Sequence, residues 1–109
     1  MSDIIELTER LKYINNTDLN TDIRGVISEL IKILQCIYTG RYIDAYTHLN
    51  AIKFVSFIEE VELRKLFSHE LSDNQIQAIE VLFFRDKYLR LTKTEMLSFL
   101  RLFRRNHCD

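Results

Sequence analysis

Not one proline occurs in the 109 residues, and glycine occurs only twice, at Gly25 and Gly40. Strands must be joined by tight turns, and those turns draw on Pro, Gly and Asn-Gly pairs for backbone angles that other residues resist. A chain nearly without them can hardly build a sheet, whereas a helical bundle needs few such residues. The fold class that follows is all-α, a compact single-domain bundle of five or six helices over residues 1–109.

Composition agrees with that reading. Apolar residues make up 47% of the chain and charged residues 28%, the balance of a chain that folds rather than one that stays disordered. That is enough apolar surface for a core without disulfides, metal or cofactor. No apolar run approaches the ~18 residues of a membrane span, and the opening MSDIIELTER is acidic and amphipathic rather than a secretory leader. A cytoplasmic protein with no membrane association is the expectation. Cys36 and Cys108 lie far apart, without CxxC or Cys/His ligand spacing, which predicts two reduced thiols.

Periodicity and caps place six helices. Ser2 caps a first helix to about Tyr13, with Ile5, Leu7, Leu11 and Ile14 toward the core. NNTDLNT, Asn15 to Thr21, interrupts it with residues that bond their own backbone. Asn20 or Thr21 then opens a second helix to about Tyr38, whose stripe is Ile23, Val26, Ile27, Leu30, Ile31, Leu34, Ile37 and Tyr38. Gly40 stops it in the left-handed position of a C-terminal cap. A third helix from Arg41 sets Tyr42, Ala45, Tyr46, Leu49 and Ile52 on one side. Its phase predicts a break near Asn50 to Lys53 and a fourth helix to about Phe67, with one long curved helix as the competing reading. Ser72 with Gln75 and Thr92 with Glu95 form two capping boxes, opening the fifth and sixth helices. AIEVLFF, in the fifth, is apolar nearly all round and is expected to be the most buried segment; the sixth runs through about Arg105.

Catalytic signatures are missing: no HExxH, no GxSxG and no phosphate loop. Asp44 and His48 stand i, i+4 on the third helix, too few ligands for a metal and more in keeping with a solvated pair. Glu59, Glu60 and Glu62 form an acidic cluster that reads as a wet helix face rather than an acid/base site. Cys36 falls about 140° from the stripe of the second helix, at roughly 100° per residue; it reads as a small side chain tucked under a neighbouring helix. No catalytic residues and no metal site are assigned, and the chain is not expected to be an enzyme.

In IYTGRYIDAYTHLNAI, the residues Gly40, Tyr42, Ala45 and Leu49 spell G-x-Y-x-x-A-x-x-x-L. This segment resembles the middle of a tetratricopeptide repeat, where the glycine permits a tight turn and the alanine lets two helices approach closely. The resemblance covers about half of one repeat. It lacks the Trp-x-x-Leu opening, the closing proline and a second copy, so what it implies is an antiparallel helix pair.

Charge is uneven along the chain. From Arg85 to Asp109 there are seven Lys/Arg against three Asp/Glu, +4, which leaves −5 for the remainder of a chain of net charge −1. On a wheel at roughly 100° per residue, Met96, Phe99, Leu100 and Phe103 share one arc of the last helix. Lys93, Arg101, Arg104 and Arg105 share another, which predicts a basic patch with Arg101, Arg104 and Arg105 substantially exposed. The two capped helices suggest a helix-turn-helix, but a connector from Arg85 to Leu91 is long for that motif. The exposed first turns of the last helix also carry few base-reading side chains, and the domain is slightly acidic where nucleic-acid binders are basic.

Binding of another macromolecule, most plausibly a protein, is therefore the expected role, as an accessory subunit, adaptor or inhibitor. Small helical proteins without catalytic motifs include immunity proteins and phage- or virus-encoded inhibitors. The alternative is a nucleic-acid-associated protein that uses the basic C-terminal region. A third reading is a homodimer: Phe54, Phe57, Phe83, Phe84, Phe99 and Phe103 are many large side chains for one small core, so one or two should line an exposed apolar patch. Phe54, Phe57 and Phe84 are the candidates carried forward.

Overall fold

Every helix predicted from caps and periodicity is present. The computed structural model describes residues 3–55 and 60–107, the side chains of 53–55, 60–62 and 84–89 excepted. The helices are α1 (Asp3–Asn15), α2 (Thr21–Tyr38), α3 (Tyr42–Val55), α4 (Glu60–Glu70), α5 (Asp73–Leu89) and α6 (Lys93–His107). They take up 88 of the described residues, and no strand occurs among those residues. The radius of gyration is 13.0 Å, matching the roughly 13 Å that compact chains of this length reach.

The helix ends follow the local chemistry of the sequence. Asn20 caps α2, its Oδ1 accepting from the Asp22 N–H at 2.8 Å. Both capping boxes are closed reciprocally. The Ser72 N–H donates to Gln75 Oε1 and the Gln75 N–H to Ser72 Oγ at 3.0 and 3.2 Å. Thr92 and Glu95 repeat the exchange at 3.2 Å in each direction. At the other end of α2, the Arg41 N–H donates to the Cys36 carbonyl at 2.8 Å and the Gly40 N–H to that of Ile37 at 3.1 Å. This crossed pair is the Schellman closure, and it holds Gly40 at φ +78°, where a Cβ would be strained.

Helix α2 is the central element. It packs against both α1 and α3, and α6 lies across α3 while also touching α2 and α1. Helices α4 and α5 pair with each other and meet α2 where Leu30, Leu63, Phe67, Ile79 and Phe83 surround a small apolar cavity. Being enclosed on several sides, α2 buries a wider arc than its stripe predicts. Ile33 and Cys36 join Ile23, Val26, Ile27, Leu30, Leu34 and Ile37 in the core, while Tyr38 reaches the surface.

Several boundaries and facings differ from expectation. On α1 the buried residue is Ile4, not Ile5: Ile4 shares a face with Leu7, Leu11 and Ile14 at helical spacing, and Ile5 falls one residue out of phase. The single polar side chain on that face, Thr8, donates to the Ile4 carbonyl at 2.7 Å, which removes most of the cost of burying it. Helix α3 runs unbroken through Asn50–Lys53 to Val55, with Ile52 buried; that stretch contains no residue that disrupts a helix. Helix α4 extends to Glu70. Helix α5 is not buried all round, since Val81 is exposed. The α5–α6 connector is only Arg90 to Thr92; Arg85 and Lys87 are good helix formers and α5 continues through them. Arg90 closes α5 at φ +49°, a left-handed position seldom held by a side chain of this kind. Ser2 lies outside the described residues.

Candidate functional site

Helix α3 has two edges of opposite character. On the edge toward α2, His48 donates from Nδ1 to Glu29 Oε2 at 2.7 Å, and Lys32 reaches the other oxygen of the same carboxylate at 3.3 Å. Partial burial pushes the Glu29 carboxyl up, but the hydrogen bonds from His48 and Lys32 outweigh it and hold the group below its ordinary value. The expected Asp44–His48 pair is not formed: Asp44 turns to Arg41, at 3.9 Å. Beneath this edge, burial pushes the Cys36 thiol up, Arg41 opposing and Asp44 adding to the shift. A buried, protonated thiol is a packing group and a poor nucleophile, in line with the reading of Cys36 as a small side chain under a neighbouring helix.

On the edge toward α6 the chemistry is aromatic and cationic. Ala45 and Leu49 are buried, while Tyr42 and Tyr46 are half-buried beside them. Helix α6 docks through Met96, Leu100 and Phe103, all buried, with Phe99 half-buried. This seats its basic arc against the tyrosines. The Arg101 guanidinium stands over the Tyr42 ring at 5.7 Å, and Lys93 Nζ lies 6.0 Å from the centre of Tyr46. Arg104 Nη1 donates to Tyr42 Oη at 3.4 Å. Tyr42, Arg101, Arg104 and Arg105 together line an open cleft of about 420 Å³.

All four residues of the expected basic patch thus fall on one face, with Lys93, Arg101 and Arg105 exposed and Arg104 half-buried. Arg104 is less exposed than predicted because it reaches over the α2–α3 turn; a Cβ on Gly40 would stand 3.4 Å from its Nη1. The tyrosines are the part of the site that the sequence reading set only on the apolar side of α3. Their signal was their type: a tyrosine at the margin of an apolar arc presents a ring to its neighbours and a hydroxyl to water.

Among the phenylalanines, Phe83 and Phe103 are buried and Phe99 is half-buried, so none of these three forms an exposed patch. The Phe54, Phe57 and Phe84 side chains lie outside the described residues, as do those of Glu59, Glu60, Glu62 and Cys108. The large apolar side chains that do stand in water include Ile43 and Leu102. No group of His, Cys, Asp and Glu able to hold a metal occurs among the described residues, and no described helix is long and apolar enough to cross a membrane.

The short α5–α6 connector removes one objection to a helix-turn-helix. The objection from side chains stands: in the first turns of α6, Glu95 is committed to its cap. Compared with known proteins, the chain matches no family model, no curated protein and no solved structure.

Proposed function

We propose that this chain is a non-enzymatic binding protein that docks another protein through the α3–α6 face, as an accessory subunit, adaptor or inhibitor. The observation that carries the reading is the stacking of Arg101 on Tyr42 at the rim of an open cleft, with Arg104 bonded to the same phenol. Arg and Tyr are the side chains in which protein interfaces concentrate their binding energy. Here both are mounted on helices, so little order has to be created on binding. The charge of the face selects an acidic partner surface.

The second reading, a nucleic-acid backbone along the same cations, is favoured by Lys93 lying on the arc of the three arginines. The net charge of −1 weighs against it. Capture from a native extract by the tagged chain separates the two. We expect a protein to be retained after nuclease treatment, and to be lost when Arg101→Glu and Arg105→Glu are combined. Its association should slow as salt rises, since rim charges act mainly on the on-rate. Loss of all bound material on nuclease treatment would instead establish the nucleic-acid reading.

A further inference from the structure

The cleft itself narrows what the partner must present. Arg101, Arg104 and Arg105 stand at i, i+3 and i+4, so their guanidiniums are neighbours on one helix face. Like charges at that spacing repel, and among the described residues no carboxylate lies within ion-pair distance of Arg101 or Arg105. Helix polarity favours cations in the last turn, which accounts for Arg104 and Arg105 but not for Arg101, a turn earlier. The three line a single cleft of about 420 Å³ together with Tyr42, and two of them are already oriented by its ring and hydroxyl.

A carboxylate brings one charge and two oxygens, enough for one guanidinium fork. A phosphoryl group brings a charge of about −1.5 to −2 and three acceptor oxygens. Guanidinium forks match those oxygens in pairs. A nucleic-acid backbone would call for cations spread along a track, whereas these converge.

Building on the protein-binding reading above, we propose that the Arg101–Arg104–Arg105–Tyr42 cleft is a receptor for a phosphorylated side chain on the partner protein. Arg101 and Arg105 grip the phosphoryl oxygens, and Tyr42 holds Arg101 and Arg104 in place.

The test uses the full chain, ¹⁵N-labelled, titrated with three probes: N-acetyl-phosphoserine methylamide, N-acetyl-glutamate methylamide and a twelve-residue oligothymidylate. We expect the phosphoserine probe to shift the Tyr42 amide and the Arg101 and Arg105 side-chain resonances, with the glutamate probe at least about tenfold weaker. Arg101→Lys, which keeps the charge and loses the fork, should weaken phosphoserine binding several-fold. Equal binding of the glutamate and phosphoserine probes overturns the inference, as does a response to the oligothymidylate alone or to no probe. The extract capture keeps the two readings apart. A protein retained equally after phosphatase treatment leaves the docking reading standing and removes the phosphoryl receptor; no retained protein removes the docking reading itself.

Discussion

The two edges of α3 are built for different ends. Toward α2 the packing is the more extensive of the two, with one short hydrogen bond between His48 and Glu29 at its margin. Toward α6 the buried layer of Met96, Leu100 and Phe103 is flanked by tyrosines lying under exposed cations. Apolar burial at about 25 cal/mol per Å² stabilises the first seam. Stacked surface cations contribute only about 0.5–1 kcal/mol each. The difference teaches that the second edge gives up little of the fold if its charges change, which is the latitude a binding face needs.

Substitutions on the two sides should therefore separate cleanly. Leu49→Ala, at a side chain 1% exposed, should cost about 3 kcal/mol in urea unfolding through lost burial and a residual cavity. A loss below about 1 kcal/mol would mean that Leu49 does not sit in a tightly packed core. Gly40→Ala should cost about 1–2 kcal/mol, because φ +78° crowds a Cβ against the following carbonyl; it also brings a methyl against Arg104, so the cleft should weaken along with the turn.

Glu29→Gln sharpens the comparison through pH. The native carboxyl titrates below its ordinary value, so its contribution is present above the unfolded-state value and is lost as pH falls through the native one. The variant should be about 1 kcal/mol less stable near neutrality, and the gap should close in acid. A gap that widens in acid would reverse the sign of the coupling. Arg90→Gly should raise stability by about 0.5–1 kcal/mol by relieving the left-handed strain at φ +49°, measured as a higher unfolding midpoint. Smallest of all, Arg101→Ala should change stability by about 0.5 kcal/mol or less.

Much of the fold was legible because it is written locally. Asn20, the Ser72–Gln75 and Thr92–Glu95 boxes and Gly40 each act on backbone groups within a few residues, and each forms the bond its spacing implies. The errors share a different cause. The burial of Ile33 depends on which helices surround α2, and a wheel drawn for one helix contains no neighbours. The stretch from Arg85 was read as a connector, although Arg85 and Lys87 favour helix. At the site, the basic arc of α6 was visible in the sequence. Its placement on Tyr42 and Tyr46 was not, because a contact across some sixty residues leaves no local trace.

The central claim is that the charged surface of the α3–α6 face binds a partner and contributes little to the stability of the fold. The most direct measurement is a paired one on Arg101→Glu combined with Arg105→Glu: unfolding free energy in urea, and affinity by titration calorimetry for the protein captured by the wild-type chain. We predict unfolding within about 1 kcal/mol of the wild type, with affinity reduced at least about tenfold, or 1.4 kcal/mol. An unchanged affinity, or a fold lost together with the binding, would contradict it.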